Sequence, residues 1–166
     1  MPMRSAVCET LSNPRRSASF LLCLVLISSA SVGDDTAPAF TTESLRGRVV
    51  YLADAMEKQT GIPSVPEARD RILALQSADG RLVPLLEDIR ARAFRRDQRL
   101  RDMQVELVVR RYHASPLVQI IRVIEIAKDG HYEIDYWCEV CSIAMFEKKE
   151  CECCQGEVEL RRRKVE

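Results

Sequence analysis

Four cysteines, Cys138, Cys141, Cys151 and Cys154, are spaced C-x2-C-x9-C-x2-C near the end of the chain. Few patterns constrain a short stretch of backbone as tightly. Each C-x2-C hook turns two sulfurs and several backbone N–H groups toward one point, so two facing hooks supply the four thiolates of a tetrahedral zinc site. The nine residues between the hooks are enough for an out-and-back excursion through Phe146, and Gly156 is expected to let the chain turn sharply away. Zinc with four thiolates carries a charge of about −2. Lys148, Lys149 and the run Arg161 to Lys164 are expected to offset it, against Glu139, Glu150 and Glu152.

A fifth cysteine, Cys153, lies inside the second hook and makes the count odd. It stands as an alternative ligand, a spare thiol or a redox partner. Three chemistries are open at this stage. Structural zinc is the leading expectation. Two disulfides would staple the same segment in an oxidising compartment. A redox-active dithiol or a soft-metal site such as Cu(I) would also use thiolates.

The compartment is read from the other end of the chain. Arg4, Arg15 and Arg16 precede the apolar run "FLLCLVLI" from Phe20 to Ile27, which is followed by "SSASVG" and the acidic pair Asp34-Asp35. A basic region, a short apolar core and a zone of small residues is the order of a secretory signal. The core is well short of the roughly 20 residues that span a bilayer. Residues 1–33 therefore read as a signal peptide, with cleavage after Ala30 or Gly33, and the mature protein is expected to be periplasmic or secreted, with no stable membrane span. Cys23 sits within the apolar run after Leu22, a poor context for lipidation. Arg15-Arg16 only loosely match a twin-arginine signal. Removing this segment takes Cys8, Cys23, three Arg and one Glu with it, so 25 basic and 25 acidic residues become 22 and 24. A near-neutral chain has no general attraction for nucleic acid.

Residues 34–42 read as a linker and residues 43–137 as one β domain. "RVVYL" predicts a strand over about 46–52 running into a helix that Gly61 and Pro63 stop. "RILALQS" and "RLVPLLE" flank an Asp-Gly pair, a hairpin signal, with Pro84 marking an edge strand or bulge. "DIRARAFRRDQRLRD" predicts a short helix and a connection. "MQVELVVRRYH" alternates as a half-buried strand should, and two further strands flank Asp129-Gly130. This gives five or six strands and one or two short helices: a mainly β fold, read as a small OB-like antiparallel barrel, followed by a four-cysteine hook over 138–166 that resembles a zinc ribbon.

The apolar leader together with "GRVVYLADAM", "LALQSADGRLVPLLED", "AFRRDQRL" and the cysteine-rich tail resembles an uncharacterised family of exported bacterial proteins. The resemblance implies export and the tail as a unit, and no activity.

His113 and His131 are the only histidines. Both read as exposed turn residues rather than members of a catalytic pair, and neither a phosphate loop nor a zinc-hydrolase spacing occurs. The arginines at 90, 92, 95, 96, 99 and 101 read as a solvated helix face rather than an anion site, with Asp88, Asp97 and Asp102 interleaved among them. Tyr136 and Trp137 are expected to pack the tail onto the barrel. The expected function is a non-enzymatic binding or structural module with structural zinc and a protein or saccharide ligand; the alternative is a thiol-based redox or soft-metal-handling protein of the cell envelope.

Overall fold

The computed structural model describes residues 39–165. The signal, its cleavage sites and most of the linker lie outside the described residues. The first strand, β1 (Phe40–Tyr51), begins inside the segment expected to be a linker, because Phe40, Thr41 and Thr42 continue the antiparallel ladder with β4 as far as Tyr112. Phe40 packs edge-on against Tyr112, with ring centroids 5.7 Å apart.

The chain continues through α1 (Leu52–Thr60), β2 (Leu73–Gln76), β3 (Leu82–Pro84), α2 (Ile89–Arg96), α3 (Gln98–Asp102), β4 (Val105–Tyr112) and β5 (Val118–Ala127). It closes with β6 (Gly130–Cys138), β7 (Ile143–Met145) and β8 (Glu159–Val165). The protein is mainly β, a single antiparallel sheet of eight described strands with a few short helices and a C-terminal cysteine cluster.

Along the path β3-β2-β1-β4, the fourth strand returns through α2 and α3 to lie beside the first. That is the Greek-key order. β1 changes partner midway, pairing with β4 up to Gly47 and with β2 from Arg48 onward. Glycine is required at the crossing, because a Cβ on Gly47 would fall on the Gln76 carbonyl oxygen. Just beyond β3, Leu85 makes one parallel bridge with Val118 at the start of β5, beside which Leu86 N–H donates to Val118 O at 2.8 Å.

Local signals account for the joints. α1 ends at Gly61, whose φ of 73° and N–H bond to Glu57 O form a left-handed cap. Asp88 caps α2 by accepting from the N–H groups of Arg90 and Ala91, and Asp97 caps α3 through Arg99 N–H. In the β2–β3 hairpin only Gly80 of the Asp-Gly pair takes positive φ, at 84°. Ser77 N–H bonds Arg81 O, so the loop has three residues. A bulge at Ile121 shifts the β4–β5 register, since Val108 faces Arg122 while Val109 faces Ile120. The shift keeps Val118, Ile120 and Val123 all facing inward although their spacing breaks alternation.

β6 organises the second half of the sheet. Its residues 131–133 pair with both β5 and β8, and Tyr136 and Trp137 pair with both β7 and β8. β5 and β7 therefore share one edge of β6, end to end, and β8 takes the other. Ile134, Asp135 and Tyr136 are consecutive and all buried. Across 137/138, Cys138, Met145 and Cys151 share a core with Leu107, Phe94 and Tyr136, and β8 pairs along β6.

Of the arginines of α2 and α3, Arg92, Arg96 and Arg99 are exposed, as expected of a solvated face, and most of the set also has defined partners. Arg90 stacks on Phe146, with its guanidinium 3.7 Å from the ring centroid. Arg92 pairs with Glu147, Arg95 with Glu87 and Arg99 with Asp97. Arg101 donates to the carbonyls of Phe94 and Arg95. They act as struts between the helices and their surroundings.

Candidate metal centre

The first hook is the turn between β6 and β7. β6 ends at Cys138, which pairs with Ile143 and leaves residues 139–142 as the loop. Ser142 N–H donates back to Cys138 O at 2.8 Å, and Ser142 adopts φ 53°. The second hook repeats this geometry without a strand to carry it. Gln155 N–H donates to Cys151 O at 2.9 Å, Gln155 adopts φ 60°, and Cys151 N–H reaches Gly156 O. Ser142 and Gln155 are the two non-glycine residues with positive φ among those described. The left-handed turn thus falls on Gln155 and not on Gly156, as the sequence had suggested. Gly156 serves contact instead, since a Cβ there would lie 3.3 Å from the Cys154 sulfur.

The four sulfurs of Cys138, Cys141, Cys151 and Cys154 all lie within 4.8 Å of one another, and those of Cys138 and Cys154 are 3.5 Å apart. A tetrahedron with Zn–S bonds of about 2.3 Å has S···S edges of about 3.8 Å, so the cage is close to the size a zinc ion needs. A disulfide needs S–S of about 2.05 Å; none of the five described cysteines is paired in one. Four protein sulfurs would complete a tetrahedral shell around a metal and leave no open position, as structural zinc sites do.

The two sides of the cage differ. Cys138 and Cys151, the first cysteine of each hook, are fully buried, whereas Cys141 is half-buried and Cys154 is exposed. Each inner sulfur faces two N–H groups of its own hook: those of Val140 and Cys141 for Cys138, and those of Cys153 and Cys154 for Cys151. At Cys151 the N–H groups of Cys154 and Cys153 bring the thiol pKa down to about 7. At Cys138 the N–H of Cys141 lowers it, but burial and the neighbouring Cys151 and Cys154 thiols together carry it above its ordinary value. The Cys153 and Cys154 thiols and burial push Cys141 far up. Cys153 is exposed and lies outside the four-sulfur cage.

Of the cations expected to neutralise the site, Lys149 and Arg161 to Arg163 are engaged by carboxylates. Lys149 pairs with Glu147 at 3.0 Å and also with Glu152. Arg161 grips Asp135 with two bonds of 2.8 Å while its guanidinium lies 3.7 Å from the Trp137 ring centroid. Arg163 reaches Asp135 and Glu133, and Arg162 pairs with Glu125. The nearest dipoles offered to the sulfurs are the backbone N–H groups of the hooks.

Three buried carboxylates, none of them a site candidate by sequence, fix the frame around the cage. Glu147 is 1% exposed and accepts from Arg92 Nε at 2.6 Å and Nη2 at 3.0 Å, tying the segment between the hooks to α2. Burial drives its pKa up, and the bonds from Arg92 and Lys149 more than reverse this, leaving it below the usual range. Asp97 accepts from the buried Tyr136 hydroxyl at 2.9 Å, joining the helices to β6. Asp135 ties β6 to β8 through Arg161. Ile134 and Tyr136 share one face of β6 by alternation and Asp135 takes the other, so its burial depends on that second face being covered, which no local pattern marks.

Trp137 lies under the Arg161 guanidinium of β8, whereas the Tyr136 hydroxyl turns to Asp97 at the helices. His113 and His131 are both exposed, and the four-residue ligand group includes neither. No protein-family model matches the chain, and no curated protein or solved structure matches it either. What stands is the β domain with its cluster of four close cysteines.

Proposed function

We propose that the mature protein is an exported, non-enzymatic binding or structural module in which Cys138, Cys141, Cys151 and Cys154 hold one structural zinc ion. The carrying observation is the four-sulfur cage, built from two hooks of like geometry and closed by four protein ligands. The ion clips the end of β6 to the approach of β8, so the strand carrying Arg161 is held where that arginine can neutralise buried Asp135. Export rests on the order of residues 1–33, and places the module in the periplasm or outside the cell. Among the described residues no helix is long and apolar enough to cross a membrane. The ligand class we propose is a protein or a saccharide, with nucleic acid disfavoured by the near-neutral charge.

The test is elemental analysis of protein beginning at Asp34, with thiols counted under denaturing conditions before and after chelation. One zinc per chain, with thiols becoming reactive as the metal leaves, is the expected result. Cys138→Ser, which removes an inner ligand, should abolish stoichiometric zinc and lower the melting temperature. Metal-free protein with paired cysteines would make the tail a covalent staple and sink the proposal. A second reading, soft-metal handling with Cu(I) as cargo, is favoured by one observation, the exposed fifth thiol of Cys153.

A further inference from the structure

We infer that the groove where β1 changes partner is a binding site for an acidic saccharide, with Arg48 as the residue that takes the sugar carboxylate. The inference rests on the reading of the protein as a binding module, and adds to it a place and a ligand class. The ladder with β4 ends at the pair Gly47 and Val105, and the ladder with β2 begins at the pair Arg48 and Gln76. At this switch a groove of about 540 Å³ opens between β1, the β2–β3 loop, the start of β4 and the end of β5. That volume lies within the range of small-ligand sites.

The groove is lined by two cations, Arg46 and Arg48, and by no carboxylate. Arg46 is already engaged, its Nε meeting Glu106 at 2.6 Å. Arg48 is exposed and makes no ion pair among the described residues. Its planar fork of donors is therefore open to a carboxylate, which a guanidinium matches with two parallel hydrogen bonds. Arg48 also borders a second hollow, lined by Asp54 and Asp102. The negative charge there repels an anion, so a carboxylate approaches Arg48 from the groove.

The remaining lining suits hydroxyl groups. Gln76 and Gln104 each present a donor and an acceptor, and neither side-chain amide has a partner among the described residues. Ile126 offers an aliphatic surface to the C–H face of a sugar ring, and Ala78 is the one other apolar side chain in the lining. A peptide side chain would find no apolar floor here, which favours a saccharide over a protein. The loop wall is fixed before a ligand arrives: Gln59 of α1 donates to Gly80 O at 2.7 Å, and Ser77 N–H donates to Arg81 O at 3.0 Å. Binding then costs little ordering of the site.

The experiment titrates the mature protein, wild type and Arg48→Ala, with disaccharides of galacturonate, glucuronate and mannuronate and with their neutral methyl esters, by calorimetry. The wild type is expected to bind at least one of the acids, more weakly as salt is added, and its ester at least about tenfold less tightly. Arg48→Ala should lose about tenfold in affinity for the acid, bind the ester as the wild type does, and keep the wild-type melting temperature. Gln104→Ala should weaken acid and ester alike. Equal affinity of the wild type for acid and ester, or wild-type affinity in Arg48→Ala, overturns the inference and leaves the binding-module reading standing. Absence of binding to all three acids also overturns it, while the zinc content of the same sample decides the structural reading separately. Cleavage of a disaccharide during the titration would overturn the non-enzymatic reading and leave the site in place.

Discussion

Ser142 and Gln155 occupy a backbone conformation that costs a side chain about 1–2 kcal/mol, and both do so at the residue after a hook. Glycine would relieve that strain, offset in part by its greater freedom in the unfolded chain. Ser142→Gly is therefore expected to stabilise the zinc-loaded protein by about 0.5–1 kcal/mol, read as a rise in melting temperature. A fall would mean that the serine side chain makes a contact worth more than the strain. Glu147 offers a test with a pH signature. Its carboxyl is held below the usual range in the folded chain, so its stabilisation is complete above the unfolded value of about 4.3 and disappears as pH falls through the lower folded value. Glu147→Gln should lose about 1–2 kcal/mol at neutral pH, a modest figure because its partners Arg92 and Lys149 are 44% and 30% exposed. The gap from wild type should close in acid; denaturant titrations at pH 7 and in the acid range that showed a constant gap would rule out the carboxylate charge as its source.

β8 is the element on which the most rests and the one least visible beforehand. Its sequence, ELRRRKV, has a single aliphatic residue between its ends and four consecutive cations, so hydrophobic alternation could not announce it. What makes it a strand lies on its neighbours: Asp135, Glu133 and Glu125 take its arginines, and the rings of Trp137 and Tyr132 take two guanidinium faces. β7 was hidden for another reason, being three residues long and inside a segment read wholly as a metal hook. By contrast the β1-to-α1 passage with its Gly61 stop, the β2–β3 hairpin and the alternation of Val105, Leu107 and Val109 were all legible, because each rests on local chemistry. The cysteine spacing was equally legible, whereas the bulge at Ile121 depends on register and left no local mark. Arg161→Ala should leave Asp135 buried with only the longer Arg163 bond, at 3.2 Å. A loss of about 2–3 kcal/mol is expected, with a red shift in the emission of the single tryptophan as its ring loses cover. Unchanged emission and unfolding midpoint would show that β8 is held by its backbone ladder alone.

Taken whole, the molecule would depend unevenly on a metal bound at the four cysteines. Of the 20 residues in the hydrophobic core, only Cys138, Met145 and Cys151 come from position 138 onward. Chelation is therefore expected to lower the melting temperature without abolishing cooperative unfolding, and to open residues 139–158 to limited proteolysis before β1 to β4 are cut. Simultaneous cleavage throughout would mean that the metal supports the whole sheet. The bridge between Leu85 and Val118 has a consequence of another kind. The β1–β4 ladder registers eight residue pairs, whereas the residues after β3 touch β5 through one pair and the adjacent Leu86 bond. A backbone bond is worth about 1 kcal/mol net, so this seam can part in brief excursions that leave the rest of the sheet paired. The Leu86 amide is then a reporter of breathing, trading its hydrogen for solvent deuterium at free energies below that of global unfolding.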